Sequence, residues 1–143
     1  MTLYLDTSSL VKLYVAEADS DAVHTLVDSA TVVATSSIAY PETRSALERC
    51  RERLLRPAGF ASAKKTFEAD WPRYLVIEVT SALCRQAGEF AERYALRAYD
   101  SVHLAAFAEL ARGAGVRDTR FSSFDQALNR AERSLRRTLT RGQ

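Results

Sequence analysis

Four acidic residues, widely separated in the sequence, stand where their side chains could act together: Asp6, Glu42, Asp100 and Asp125. Asp6 directly follows a short apolar run, residues 2–5, that has the composition of a β-strand. Asp125 follows a second strand-like stretch, residues 120–123. Because ligands bind at the carboxyl ends of the strands in open parallel sheets, we expect these two carboxylates to emerge at the same edge.

Carboxylates gathered in this way favour one kind of chemistry. Like charges held close together raise one another's pKa unless a cation neutralises them. Mg²⁺ and Mn²⁺ are hard cations that take carboxylate oxygens, water and substrate phosphate as ligands. One or two such ions can activate a water for in-line attack on a phosphodiester and stabilise the departing oxygen. The four acids therefore predict a nuclease site that depends on Mg²⁺ or Mn²⁺.

Each acid also has a structural interpretation. Asp is a favoured helix N-cap, a role that would account for any of the three aspartates taken singly. Glu42 lies beside the apolar stripe of its predicted helix, where a carboxylate needs a partner to offset its desolvation. Arg44 or Arg49, on the same helix, would make Glu42 an ordinary ion-paired glutamate at the rim of the core.

Other catalytic sites are poorly supplied. The sequence has no Gly-rich phosphate loop, no Cys/His zinc spacing and no Gly-rich elbow around a serine. It has two histidines, His24 and His103, and His103 is either a hydrogen-bonded buried histidine or a further ligand beside Asp100. A phosphatase of the haloacid-dehalogenase type would place a second acid two residues after Asp6, where this chain has Ser8.

Composition predicts one globular domain over residues 1–143, in which Cys50 and Cys84 are small core residues and not a disulfide framework. The net charge is +2, and all but three of the twenty basic residues are arginines, whose planar fork suits phosphate. Five of these arginines lie in residues 129–143 against one acid, which fits RNA phosphates, an acidic partner or a solvated helix end. No membrane-spanning or signal segment is evident, so we expect a cytoplasmic protein.

The elements that must position the acids alternate along the chain. Strands are predicted at residues 2–5, 31–35, 74–79 and 119–122. Helices are predicted after residues 7–9, at 20–29, from Ser36 or Ser37 through Leu54, at 60–71, from Thr80 or Ser81 to Tyr94, at 99–111 and from Asp125 onward. Alternating strands and helices indicate an α/β fold with a mostly parallel sheet that is covered on both faces.

Four segments carry a likeness to a known family. They are residues 3–14 (LYLDTSSLVKLY), 35–47 (TSSIAYPETRSAL), 98–105 (AYDSVHLA) and 122–125 (SSFD). In this order and at these separations they resemble the PIN-domain family, most closely the VapC-type toxins of bacterial toxin–antitoxin pairs. The likeness spans nearly the whole chain.

The resemblance implies a three-layer α/β/α sandwich with endoribonuclease activity that depends on Mg²⁺ or Mn²⁺. It implies that Asp6, Glu42 and Asp100 hold the metal, that Asp125 completes the site or binds a second ion, and that cleavage leaves 5′-phosphate and 3′-hydroxyl ends. It also implies a homodimer and inhibition by a small antitoxin. Two alternatives stay open within the family: an RNA-processing nuclease with a housekeeping role, and a catalytically silent RNA-binding module.

Several supporting residues are left with two interpretations. The strand before the fourth acid is more polar than in the family, which makes Asp118 a competing candidate for the place of Asp125. Thr7 and Ser123 either orient a water or a metal ligand, or simply cap helices. Arg44 and Arg97 are candidates for contacts with RNA phosphates.

Overall fold

Four short strands form one parallel sheet in the computed structural model, which describes residues 1–51 and 56–142. The strands are β1 (Thr2–Leu5), β2 (Val32–Ser36), β3 (Leu75–Ile77) and β4 (Thr119–Ser122). Their order in the sheet is β3-β2-β1-β4, and every neighbouring pair runs parallel. The predicted parallel sheet is therefore confirmed, and β1 lies inside it between β2 and β4.

In the part of the chain that the structure describes, seven α-helices connect and cover the strands: α1 (Thr7–Leu10), α2 (Ser20–Ser29), α3 (Ala39–Arg51), α4 (Pro57–Asp70), α5 (Ser81–Tyr94), α6 (Ala98–Ala114) and α7 (Gln126–Arg141). Short 3₁₀ turns follow α1 and α4, at Val11–Leu13 and Trp71–Arg73. The predicted extension of the third helix through Leu54 lies outside the described residues. No described helix combines the length and the apolar character that crossing a membrane requires.

The alternation of side chains along β1 divides the core in two. Leu3 and Leu5 point into a cluster formed with α1, α2, α3 and α4, whereas Tyr4 points into a cluster formed with α5, α6 and α7. Successive side chains of a strand face opposite sides of its sheet, so helices cover both faces. This is the three-layer α/β/α sandwich that the sequence predicted.

Two boundaries differ from the predictions for physical reasons. The third strand ends at Ile77 instead of residue 79, because its partner β2 ends at Ser36, which pairs with Ile77. Beyond that point the Val79 amide donates to the side chain of Ser37. The fourth helix begins at Pro57, three residues before the predicted start at residue 60. Proline fits the first turn of a helix, where its missing N–H is not needed.

The two cysteines do not share the predicted environment. Cys50 is partly buried against the core cluster that contains Leu3 and Leu5, whereas Cys84 is exposed. Cys84 lies in the first turn of α5, whose buried face is formed by Leu83, Ala87 and Phe90. The prediction that Cys84 is a core residue is therefore wrong. Both thiols are free, in agreement with the absence of a disulfide framework.

Candidate active site

Asp6 stands immediately after β1 and is 3% exposed. Its Oδ1 accepts hydrogen bonds from the Ser9 amide at 3.0 Å and the Ser8 hydroxyl at 2.7 Å, so Asp6 does cap the short helix α1. Its Oδ2 accepts from the Ser123 hydroxyl at 2.5 Å. Ser123 is the first residue after the neighbouring strand β4. Burial raises the pKa of the Asp6 carboxyl, while nearby His103 and these three donors lower it.

Ser123 joins the first acid to the fourth. Besides donating to Asp6, its Oγ accepts from the Asp125 amide at 3.0 Å. Asp125 caps α7, since its Oδ1 accepts from the Leu128 amide at 2.8 Å. The contact exists because Leu5 and Ser122 are partners at the carboxyl ends of parallel strands. The strand-end argument thus correctly placed both carboxylates at one edge of the sheet.

Glu42 has partners that the sequence did not suggest. Its Oε1 accepts from the Thr7 hydroxyl at 2.8 Å and lies 2.8 Å from Nε2 of His103. Thr7 therefore bonds to a candidate acid and is not the N-cap of α1, which is Asp6. The alternative interpretation, in which Glu42 pairs with Arg44 or Arg49 of its own helix, is therefore wrong.

Arg44 and Arg49 of α3 donate hydrogen bonds to residues other than Glu42. Arg44 donates to Glu68 of α4 at 2.7 Å and to the Tyr40 hydroxyl at 2.9 Å, which removes it from the expected phosphate contacts. Arg49 donates to Ser45 at 2.7 Å and lines the cleft that the acids share.

His103 confirms the prediction of a buried, hydrogen-bonded histidine. It is 2% exposed, with Nδ1 2.9 Å from the hydroxyl of the fully buried Tyr4. Burial, followed by the charges of Asp6 and Glu42, raises the pKa of the Tyr4 phenol, so Tyr4 keeps its proton and can donate it to Nδ1. When Nδ1 accepts, the ring proton of His103 is on Nε2, and Nε2–H donates to Glu42. This hydrogen bond holds the Glu42 carboxylate in a fixed orientation.

Asp100 does not cap α6 as the sequence suggested. The helix begins one residue earlier than expected, at Ala98, and places Asp100 in its first turn. The Arg97 Nε donates to Asp100 at 3.1 Å, and its Nη2 donates to Asp125 at 3.4 Å. The Arg97 side chain, which is 80% exposed, thus bridges two of the predicted acids.

All four predicted acids line one open cleft of about 740 Å³ at the carboxyl edge of the sheet. Within residues 1–51 and 56–142, no three His, Cys, Asp or Glu side chains form a ready-made cage for one metal ion. The oxygen donors are nevertheless of the type that Mg²⁺ and Mn²⁺ prefer. The Arg97 guanidinium already occupies a cationic position between Asp100 and Asp125.

Asp118 is at the wrong end of β4 to replace Asp125. It precedes the first residue of that strand, and its carbonyl accepts from the Thr2 amide at the start of β1. The cleft lies beyond the last residues of the same strands. The hypothesis that Asp118 supplies the fourth acid is therefore wrong.

Sequence reasoning missed several residues of the cleft. Lys12, Arg49, Tyr99 and Phe124 line it together with the acids and Arg97. One signal was available for the two aromatic residues, because Tyr99 directly precedes Asp100 and Phe124 directly precedes Asp125. Arg49 was considered from the sequence as an ion-pair partner of Glu42 and not as a cleft residue, and Lys12 was not considered. Their positions depend on how α1 and α3 meet the sheet.

Four of the five arginines near the carboxyl end face solvent. Arg130, Arg133, Arg137 and Arg141 are exposed, on the side of α7 opposite the buried Leu128 and Leu135. The fifth, Arg136, bonds to the buried Glu132 at 2.7 Å and to the carbonyl of Val116 at 2.7 Å. Arg136 is therefore a structural residue and not part of a basic surface.

Comparison with known proteins places the chain in a family. The PIN domain profile matches residues 3–133. The chain is 36% identical, over 104 residues, to the proteins named Ribonuclease VapC45 and Ribonuclease VapC49 of Mycobacterium tuberculosis; the match covers 72% of this chain and 72% of each relative.

Two solved structures share the fold. VapC20 of Mycobacterium tuberculosis, described as a Sarcin-Ricin loop cleaving toxin, superposes with a TM-score of 0.66 at 23% identity, over 90% of this chain and 94% of that one. FitAcB from Neisseria gonorrhoeae superposes with a TM-score of 0.61 at 18% identity, over 91% of this chain and 92% of that one. With a parallel three-layer sandwich, a profile match over most of its length and relatives of this identity, the chain belongs to the PIN-domain family.

Proposed function

We propose that this protein is a metal-dependent endoribonuclease, and that it acts as the toxin of a toxin–antitoxin pair. The observation that carries the proposal is the meeting of Asp6, Glu42, Asp100 and Asp125, from four separate parts of the sequence, in one cleft. Relatives at 36% identity are named ribonucleases of the VapC type, which supports RNA as the substrate.

The four carboxylates are the groups that would hold Mg²⁺ or Mn²⁺. When bound, the ion supplies Lewis-acid activation of water and neutralises charge at the phosphodiester. Asp6 favours this role, because a carboxylate buried to 3% exposure gains from a positive charge that offsets its desolvation. Glu42 is oriented for it, because Thr7 and His103 occupy only Oε1 and leave Oε2 available to the cleft.

The basic residues of the cleft complete the proposed RNA site. Arg97 and Arg49 line the cleft, where they would contact the phosphates on either side of the scissile bond. Arg97 would have to release Asp100 and Asp125 for these two carboxylates to hold an ion. Its guanidinium group would then be free to contact phosphate.

The proposal extends to partners. A small antitoxin, homodimerisation and a cytoplasmic location are what membership in the VapC group leads us to propose. Relatives that are named VapC ribonucleases support the antitoxin, because the resemblance is to the toxins of toxin–antitoxin pairs.

The first test is RNA cleavage by the purified chain with and without EDTA, using Asp6→Asn, Asp100→Asn and Asp118→Asn. We expect both cleft variants to lose at least about 100-fold in rate, since even a supporting group of a metal site costs up to that much. Asp118→Asn is the matched control, because Asp118 is an exposed aspartate at the opposite end of β4. Cleavage that survives EDTA, or that is unchanged in either cleft variant, would refute the proposal.

Growth measurements test the toxin role separately. Expression of the chain alone should arrest growth, and Asp100→Asn should relieve the arrest at equal protein level. Cleavage in vitro without growth arrest would instead indicate an RNA-processing nuclease. RNA binding without any cleavage would indicate a silent binding module.

A further inference from the structure

The cleft carries two aromatic side chains that the proposed hydrolysis does not use. Tyr99 is 62% exposed and Phe124 is 42% exposed. The other large hydrophobic side chains that are exposed in the described part of the chain are Met1, Val32 and Leu75, which are not aromatic and do not line the cleft. Exposed rings leave apolar surface in water, and their placement beside the four acids suggests a ligand that covers them.

Phe124 is held in a fixed position. Its amide donates to the Ser8 hydroxyl at 2.9 Å, and the next amide, that of Asp125, donates to Ser123. The Lys12 ammonium lies 4.5 Å from the centre of the ring, within the range of a cation–π contact. Lys12 is itself anchored by the Ala18 carbonyl at 2.8 Å, so one face of the ring is supported while the residue stays exposed.

Tyr99 stands toward another part of the cleft. It lies in the first turn of α6, directly before Asp100. It also lines an adjoining cavity of about 490 Å³ with Glu42 and Arg49, which Phe124 does not reach. The acids therefore lie in a cleft that has one exposed ring toward its Glu42 side and another toward its Lys12 side.

Nucleic acid bases match this arrangement when they are unpaired. Unstacked bases of single-stranded RNA stack on aromatic side chains, whereas the bases of a duplex are already stacked on one another. The exposed Arg97 side chain, which lines the same cleft as both rings, suits the phosphates that accompany such bases.

We infer that Tyr99 and Phe124 are stacking platforms for two bases near the scissile phosphate. This inference rests on the proposed ribonuclease function. It adds to that function two residues that determine how the bases next to the scissile bond are bound.

The test measures binding, so that it does not depend on cleavage. In EDTA, the affinity for a fluorescein-labelled unpaired RNA 12-mer is compared between the parent chain and Tyr99→Ala, Phe124→Ala, Phe124→Leu and Phe124→Trp. Loss of one stacked base should weaken binding about 5- to 150-fold, corresponding to about 1–3 kcal/mol. Phe124→Trp should retain parental affinity, whereas Phe124→Leu should bind as weakly as Phe124→Ala.

Two further measurements sharpen the result. Leu75→Ala removes a side chain of similar exposure, 45%, on β3 and away from the cleft, and should leave affinity unchanged. The fluorescence of 2-aminopurine in the RNA should be quenched by the parent chain and by Phe124→Trp but not by Phe124→Ala. A matched hairpin stem should bind more weakly than the 12-mer and show little sensitivity to either alanine substitution.

The outcomes separate the two proposals. Aromatic-dependent binding of unpaired RNA without cleavage in Mg²⁺ would support the stacking inference and refute the nuclease. Cleavage with unchanged affinity in both alanine variants would refute the stacking inference and leave the nuclease standing. Restoration of binding by Phe124→Leu, equal binding of the stem, or an effect of the substitutions on a protein inhibitor alone would also overturn the inference.

Discussion

Asp6 is held more firmly than a helix cap requires. An N-cap needs one bond to an amide, and Asp6 makes that bond to Ser9. The remaining contacts, from Ser8 and Ser123, position a carboxylate that is almost fully buried. Capping and a functional role were alternatives for this residue in the sequence, but one side chain can serve both, because its two oxygens point to different partners.

Asp6 should make stability depend on pH. Its folded pKa is raised, so the stability it contributes is present below the unfolded value of 3.8 and is lost as the pH rises through the folded value. At neutral pH without divalent ions, we expect Asp6→Asn to be more stable than the parent by more than the about 0.5 kcal/mol typical of surface substitutions. Asn keeps the cap to Ser9.

Urea denaturation of both proteins from pH 4 to pH 8 checks this expectation. The stability gain of Asp6→Asn should shrink as the pH falls toward 4. Asp118→Asn, at an exposed position, should show no such trend. A gain that is independent of pH, or a loss at neutral pH, would contradict the assignment of burial as the dominant effect on Asp6.

The strand ends could be predicted from sequence, but the helix contacts could not. Residues 2–5 are a short apolar run and residues 119–122 a more polar stretch, and both were predicted as strands. The parallel rule then places Asp6 and Asp125 together. The partner of Glu42 is His103, sixty-one residues away on another helix. That pairing depends on where α3 and α6 pack on the sheet. Their positions arise from side-chain packing across the whole core, which periodicity within each helix does not encode.

The helix α7 depends on one ion pair that looks like surface charge in the sequence. Arg136 joins the buried Glu132 to the carbonyls of Val116 and Thr119, and so fastens α7 to the start of β4. We expect Arg136→Ala to reduce the free energy of unfolding by about 1–3 kcal/mol. This is less than the loss for a fully buried pair, because the Arg136 side chain is partly exposed.

The matched control is Arg133→Ala, three residues earlier on the exposed face of the same helix. That substitution should change stability by no more than about 0.5 kcal/mol. Chemical denaturation of both variants measures the difference directly. Equal effects of the two substitutions would show that the Glu132–Arg136 contact does not hold α7 in place.

At the scale of the molecule, the fold class followed from the alternation of strands and helices, and the family resemblance assigned the four acids to one site. Neither the alternation nor the resemblance predicted which side chains contact the acids in the cleft. Arg97 bridges Asp100 and Asp125, and His103 approaches Glu42 from behind. The Arg97–Asp125 contact joins residues 28 positions apart in the sequence, and the His103–Glu42 contact joins residues 61 positions apart. Only the assembled core brings these residues within hydrogen-bonding distance.

Binding of a divalent ion should stabilise the whole fold. An ion that binds only the folded state adds about 2.7 kcal/mol at one hundred times its Kd, which raises Tm by several degrees. We expect this increase with Mn²⁺ in the parent chain and not in Asp6→Asn or Asp100→Asn. Differential scanning fluorimetry at constant ionic strength measures it, and an equal increase in both variants would place the ion outside the cleft.

The central place of β1 in the sheet has a consequence for the time at which the cleft can form during synthesis. Of the four strands, β1 is made first, yet its neighbour β4 and the Ser123 contact to Asp6 lie 117 residues further along the chain. A nascent chain therefore has no assembled cleft until β4 has been made. Under the proposed function, fragments that end before Ser123 should not cleave RNA.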